Sequence, residues 1–318
     1  MDAPDIKNAF RYLHLLFSQL FKVILLTIGI SSSCINICKE AEMIKVSIQG
    51  VRGSFHDIVA RDKFPGDTEI IEGATFHQVF EDVKKGLVDY GVVAIENSIY
   101  GSLLENYDLL LKYDAKIVGE SYLKIRFDLL ALPGVKMEDV KEVYSHSMAM
   151  AQCEEFLQKH PEMVRIEMDD TAGSGRLIRE KGLMNAAAIS SSLSAKLYDL
   201  RILAKDIGTN RNNYTRFLII SNKEQYPETA DKTSIVIRAK NTPGSLYQCM
   251  KCFADEGINL SKLESRPVMG RNWEYSFYMD FETGINKPEA QRAMENLKKS
   301  ASFIKVLGSY ERGKFIEC

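Results

Sequence analysis

Two hydrophobic periods alternate along residues 44–221, and few folds accommodate that alternation. Residues 44–49 and 68–72 have the pattern of strands. Phe76, Val79, Phe80 and Val83 then fall on one helical face, with Thr75 and Gln78 as a capping box and Gly86 as the stop. Residues 90–95 are an unbroken apolar run, as expected of a strand covered on both faces. Leu103, Leu104, Tyr107, Leu110 and Leu111 return to the helical period. This order predicts a mostly parallel sheet flanked by helices. A second set starts near Lys124, with strands at 141–145, 164–168 and 186–189, helices at 148–160, 174–181 and 192–198, and late strands at 203–207 and 215–221. Two comparable sets predict two lobes with a ligand cleft between them.

Residues 222–232 are polar, contain a proline, and read as a linker. The pattern beyond them is β-α-β-β-α-β, the ferredoxin-like order. Its strands are expected at 233–239, 259–266, 273–281 and 303–310. Thr242 is expected to cap the first helix, with Leu246, Met250 and Phe253 inward and Gly257 at its end. Ala290, Ala293, Met294 and Leu297 mark the second helix.

The chain is 45% hydrophobic and 26% charged with a formal net charge of -2, so no basic field draws it to nucleic acid or to anionic membrane. An anionic substrate must be held by local groups. Cys249 and Cys252 form a lone C-x-x-C at helical spacing, and the cysteines read as buried or idle thiols of a reducing, cytoplasmic compartment. Residues 23–30 are apolar but too few to span a bilayer. Met43 directly precedes the first strand pattern and is expected to be the initiator, leaving residues 1–42 as an extension outside the fold.

Small polar residues cluster at three strand-to-helix junctions: Gly50-Val51-Arg52-Gly53-Ser54, Ser145-His146-Ser147, and Asp170-Thr171-Ala172-Gly173-Ser174-Gly175. Such junctions bind carboxylates through backbone amides and helix N-termini. No nucleotide-binding glycine pattern follows a strand. His56, His77 and His146 lack a ligand spacing and read as structural or exposed, so no metal or organic cofactor is expected.

Ile95-Glu96-Asn97-Ser98-Ile99-Tyr100-Gly101, Asn213-Tyr214-Thr215-Arg216-Phe217 and Gly50-Val51-Arg52-Gly53-Ser54-Phe55 resemble the motifs of prephenate dehydratases, in the same order. The segment from Asn259 to Pro267, Trp273-Glu274-Tyr275 and residues 306–310 resemble the ACT regulatory domain of those enzymes. The resemblance spans about residues 43–312, leaving residues 1–42 too few for a chorismate mutase unit. Two departures stand out: Ser145-His146-Ser147-Met148 replaces the usual Ser-His-Pro-Gln, and Gly244-Ser245-Leu246 replaces Gly-Ala-Leu.

The resemblance implies a two-lobed, periplasmic-binding-protein-like α/β catalytic domain over 43–221, a linker over 222–232 and a ferredoxin-like ACT domain over 233–312. It implies conversion of prephenate to phenylpyruvate in phenylalanine biosynthesis, with Thr215 as the catalytic donor to the leaving hydroxyl. Asn97, Ser98, Ser145, Gln152, Thr171, Arg216 and Phe217 are the implied substrate-binding residues. Gly244, Ser245, Leu246, Asn259, Glu264, Ser265, Arg266 and Pro267 are implied to bind L-phenylalanine as an inhibitor, in a dimer or tetramer joined through ACT domains. Arogenate, with an amino group in place of the keto group, is the alternative substrate, and Glu96 is a carboxylate that could serve it. A non-catalytic amino-acid sensor is the alternative outside the enzymes, and retention of Thr215 beside Asn213 and Arg216 argues against it.

Overall fold

The computed structural model describes residues 43–268, 270–271 and 273–317. The apolar run at 23–30 and the expected extension 1–42 lie outside the described residues.

The first lobe contains β1 (Ile44–Gln49), α1 (Phe55–Lys63), β2 (Thr68–Gly73), α2 (Phe76–Lys85), β3 (Tyr90–Asn97), β4 (Gly101–Ser102), α3 (Leu104–Tyr113) and β5 (Lys116–Lys124). Ser54 caps α1 by accepting from the Asp57 amide, Thr75 caps α2 by accepting from Gln78, and Gly86 ends α2 in the left-handed conformation at φ 68°. The chain then crosses to the second lobe: β6 (Asp128–Ala131), β7 (Glu142–Ser145), α4 (Ser147–Gln152), α5 (Glu154–Gln158), β8 (Val164–Glu167), α6 (Thr171–Lys181), β9 (Ala186–Ser190), α7 (Ser192–Leu197) and β10 (Arg201–Ala204). It returns as β11 (Tyr214–Ser221), which inserts antiparallel between β3 and β5.

The remaining elements are β12 (Lys232–Ala239), α8 (Ser245–Ala254), β13 (Leu260–Pro267), β14 (Tyr275–Phe281), α9 (Pro288–Ser300), β15 (Ala301–Tyr310) and β16 (Phe315–Ile316). Their four-stranded sheet has the order β13-β14-β12-β15, the ferredoxin-like arrangement expected from the sequence. The strands of the second lobe are ordered β10-β6-β9-β7-β8. The first-lobe sheet runs β16-β5-β11-β3-β1-β2, so residues 315–316 pair with β5 after the whole ferredoxin-like unit has intervened.

That unit is not a loose appendage. Val236, Tyr278, Leu307 and Tyr310 share one apolar cluster with Val79, Phe80, Ile95 and Leu110 of the first lobe. Gly308 lets β15 approach β5 closely, since a Cβ there would fall 2.0 Å from the Ile117 carbonyl oxygen.

Three local expectations are corrected. The helix expected at 148–160 is broken at Cys153 into α4 and α5. There the returning chain inserts: the Thr209 amide donates to the Gln152 carbonyl at 2.7 Å, and the Thr209 hydroxyl accepts from the Glu155 amide at 3.2 Å. Strand β5 has no counterpart in the sequence reading, because buried Glu120 and Ser121 break its apolar pattern. The N-cap of α8 is Gly244, left-handed at φ 78°, rather than Thr242.

Candidate active site

A cleft of about 530 Å³ lies between the lobes. Gln49 and Ser54, then His146, then Asp169, Asp170 and Thr171 border it, so all three polar strand-to-helix junctions meet there. Its apolar wall includes Phe55, Phe76, Ile125, Phe127 and Phe217. The lobes are held together beside it. Ser191 Oγ donates to the Gly53 carbonyl at 2.5 Å, and the Tyr198 hydroxyl donates to the Arg52 carbonyl at 2.7 Å. Gly53 is left-handed at φ 88°, and a Cβ would lie 2.9 Å from the Ser194 backbone, so only glycine serves that contact.

Thr215, the second residue of β11, lies opposite Asn97 at the end of β3, and both line the cleft. Asn97 Oδ1 accepts from the backbone amides of Ile99 at 2.9 Å and Tyr100 at 3.1 Å. Its orientation is thereby fixed, and Nδ2 donates toward Thr215 Oγ1 at 2.9 Å and Asn213 Oδ1 at 2.8 Å. Asn213 is 2% exposed and its Nδ2 donates to Gln152 Oε1. The chain of donors has one direction. Among the described residues Asn97 is the only partner of the Thr215 hydroxyl, and it donates; the Thr215 proton is therefore free to be donated into the cleft. Gln152 likewise keeps its Nε2 donor free at the cleft wall.

A β-bulge shapes this corner. Thr215 pairs with Asn97 and Arg216 with Glu96, but Phe217 pairs with Ala94, leaving Ile95 extra. Ala94 and Phe217 face the cleft, whereas Ile95 enters the core shared with the ferredoxin-like unit.

The expected substrate residues are thus divided. Asn97, Gln152, Thr171, Thr215 and Phe217 border the cleft. Arg216 does not, which corrects the expectation that it binds substrate. Side chains alternate across a strand, so Arg216 points away from Thr215's side and pairs with Glu120 at 2.7 Å and Asp280 at 2.6 Å. Ser98 is exposed and pins the loop before β11, donating to the Asn212 carbonyl and accepting from the Tyr214 amide. Ser145 is fully buried and donates to the Ile189 carbonyl at 2.8 Å. Glu96 is held outside the cleft by Lys262 at 2.9 Å.

Asn213, Tyr100, His146, Asp169 and Asp170 were not singled out as site residues. Asn213 and Tyr100 lie inside recognised motifs, and the junctions carrying His146 and Asp170 are polar. His56, another wall residue, is packed between the rings of Phe76 and Phe217 and accepts from the Ala94 amide at 3.3 Å. Burial lowers its pKa to about 3, so it stays neutral and is no proton donor at ordinary pH. Burial pushes the Asp170 carboxyl upward, against the Gly173 and Ala172 amides that favour its anion. The described cleft lining contains no lysine or arginine.

In the ferredoxin-like unit, Ser245 and Leu246 border a depression of about 440 Å³ with Arg238, Arg271, Trp273 and Phe277, and Gly244 caps the helix that starts there. Asn259 borders a different depression, beside Tyr247 and Met250, and donates to Glu282 at 3.0 Å, so it does not complete that pocket within one chain. Glu264 and Arg266 reach the first lobe, at Ser102 and Asp108, whereas Ser265 and Pro267 are exposed on the opposite face of β13. The expected effector residues are therefore spread over more than one surface.

A two-lobed α/β fold with a hydroxyl donor among neutral amides, closed by a ferredoxin-like unit, defines a class of small-molecule enzyme. The family model described as prephenate dehydratase matches residues 46–225. Arogenate dehydratase 2 of Petunia hybrida is 40% identical over 88% of this chain and 75% of its own. A bifunctional chorismate mutase/prephenate dehydratase of Aquifex aeolicus is 37% identical over 89% of this chain and 77% of its own. A prephenate dehydratase of Arthrobacter aurescens, solved in complex with L-Phe, is 32% identical with a TM-score of 0.75, covering 85% of this chain and 90% of that one. The chain belongs to the prephenate dehydratase family, and is a lyase. Among the described residues no helix is long and apolar enough to cross a membrane.

Proposed function

We propose that the chain dehydrates and decarboxylates prephenate to phenylpyruvate. The observation that carries this reading is the bonding of Thr215: Asn97 donates to its oxygen, leaving the proton of this cleft-lining hydroxyl free to be donated. In the reaction the ring carboxylate leaves as carbon dioxide, the electrons of its bond complete the aromatic ring, and the ring hydroxyl departs with one proton as water, the proton coming from solvent through the Thr215 hydroxyl. Aromatisation supplies the driving force. The protein needs to hold the carboxylates and donate a hydrogen bond that strengthens as the leaving oxygen gains charge. Gln152 and the junctions at Ser54 and Thr171 supply neutral donors for the carboxylates.

One observation favours arogenate as a second substrate. Asp169 and Asp170 border the cleft without a lysine or arginine among its lining residues, and an ammonium on the substrate offsets that negative charge. Assay of the purified chain with each substrate, without added metal or nucleotide, tests both readings. Turnover of neither ends them.

The ferredoxin-like unit acts in this reading as an ACT domain that binds phenylalanine and inhibits the enzyme. The cationic, aromatic depression at Ser245 and Leu246 suits an aromatic amino acid, and the Arthrobacter relative was solved with L-Phe. Pairing of two copies in a dimer or tetramer would let Asn259 of one serve the pocket of the other.

A further inference from the structure

Strand β13 carries an alternating row of charged side chains, each of which reaches a partner in the first lobe. Lys262, Glu264 and Arg266 are half-buried, while Ser261, Leu263, Ser265 and Pro267 between them are exposed. Arg266 Nη2 lies 2.5 Å from Asp108 on α3. Lys262 Nζ donates to Glu96 Oε1 at 2.9 Å and to Ser102 Oγ at 2.8 Å. Ser102 Oγ in turn donates to Glu264 Oε2 at 2.5 Å, and Lys262 lies 3.4 Å from that same carboxylate. The Lys262 side chain is only 13% exposed.

Glu96 and Ser102 face each other across the short hairpin of β3 and β4, with Asn97 paired to Gly101 beside them. That hairpin carries Asn97, which orients Thr215, and Tyr100, which borders the cleft. Lys262 therefore grips both arms of the hairpin from behind while Asn97 works at its front. The backbone of one pair of residues separates the two.

We infer that Lys262 is a positioning residue: from the ferredoxin-like unit it fixes the β3–β4 hairpin and so the geometry of Asn97 against Thr215. The inference deepens the reading of Thr215 as the leaving-group donor and rests on it. Removing the ammonium leaves the carboxylates of Glu96 and Glu264 without the cation that bridges them, and their repulsion opens the hairpin.

The test combines steady-state kinetics with amide hydrogen exchange on the full chain, comparing wild type, Lys262→Met and Lys262→Arg. For Lys262→Met, kcat is expected to fall about tenfold with KM within about twofold, because misplacement of an orienting group costs chemistry more than binding. Exchange should quicken in residues 97–103 and stay unchanged in β1. Lys262→Arg should restore most of kcat. Wild-type kcat in Lys262→Met overturns the inference. So does a loss of kcat accompanied by faster exchange throughout the first lobe, which marks general loosening. Should the wild type turn over neither substrate, the functional reading fails by itself, and unchanged exchange at 97–103 in Lys262→Met still overturns the clamp.

Discussion

Arg216 and Asp280 meet at 2.6 Å although one belongs to the strand that carries Thr215 and the other to the ferredoxin-like sheet. Glu120 and Lys232 complete the group, and all four are nearly excluded from water. Arg216→Met leaves two carboxylates with one lysine in the interior, so it should cost roughly 3–5 kcal/mol of stability. Urea unfolding measures it. KM of the folded fraction should be little changed, and a large rise in KM at wild-type stability would return Arg216 to the substrate.

Stability should also fall with acidity through His56. Its pKa is about 3 when folded against 6.5 for the ordinary imidazole, so the unfolded chain takes up a proton that the folded chain refuses. The contribution is complete above pH 6.5 and declines as pH falls toward 3. Between pH 6.5 and 5 the loss is on the order of 1–2 kcal/mol. His56→Gln keeps an acceptor for the Ala94 amide and should flatten that slope in urea titrations across the same window.

Thr215→Ala should lower kcat by about 10²-fold or more with KM nearly intact, and Thr215→Ser should retain much of the activity. Near-normal kcat in the alanine variant would remove Thr215 from the chemistry.

Selectivity between the two substrates should depend on Asp170. Asn caps a helix as well as Asp does, so Asp170→Asn keeps the Gly173 contact and removes only the charge. The ratio of kcat/KM for arogenate over prephenate should drop about tenfold, the worth of one charged hydrogen bond. An unchanged ratio would mean that the cleft's acidity is irrelevant to choice.

Trp273 is the sole tryptophan of the chain and borders the depression at Ser245 and Leu246. Phenylalanine should therefore shift its emission in step with inhibition, and Ser245→Trp, which fills the depression, should abolish both. Inhibition that survives this substitution would place phenylalanine in the cleft. A chain ending near Lys223 is a poor control, since Val236, Tyr278, Leu307 and Tyr310 belong to the first lobe's core.

Most elements were legible because their periods are clear, and Asn97 and Thr215 because they sit in recognisable motifs. The direction of Arg216 was hidden for a physical reason. Residues 215–221 are all buried, so β11 shows no polar face from which to tell the cleft side from the core side. Ser98 and Ser145 illustrate a second limit: a hydroxyl at a strand end looks the same whether it meets substrate or ties down a neighbouring carbonyl or amide. The bulge at Ile95 carried no signal, yet it sends Glu96 to Lys262 instead of into the cleft.

The pairing of β16 with β5 has a consequence for synthesis. The strand that carries Thr215 is translated well before residue 316, but the sheet around it keeps an open edge until then. Throughout that interval the nascent chain leaves the backbone of β5 unpaired at Tyr122 and Leu123, an edge at which other chains could misjoin. The edge of the sheet that carries Thr215 is thus closed at Tyr122 and Leu123 only by a segment that follows the ferredoxin-like unit.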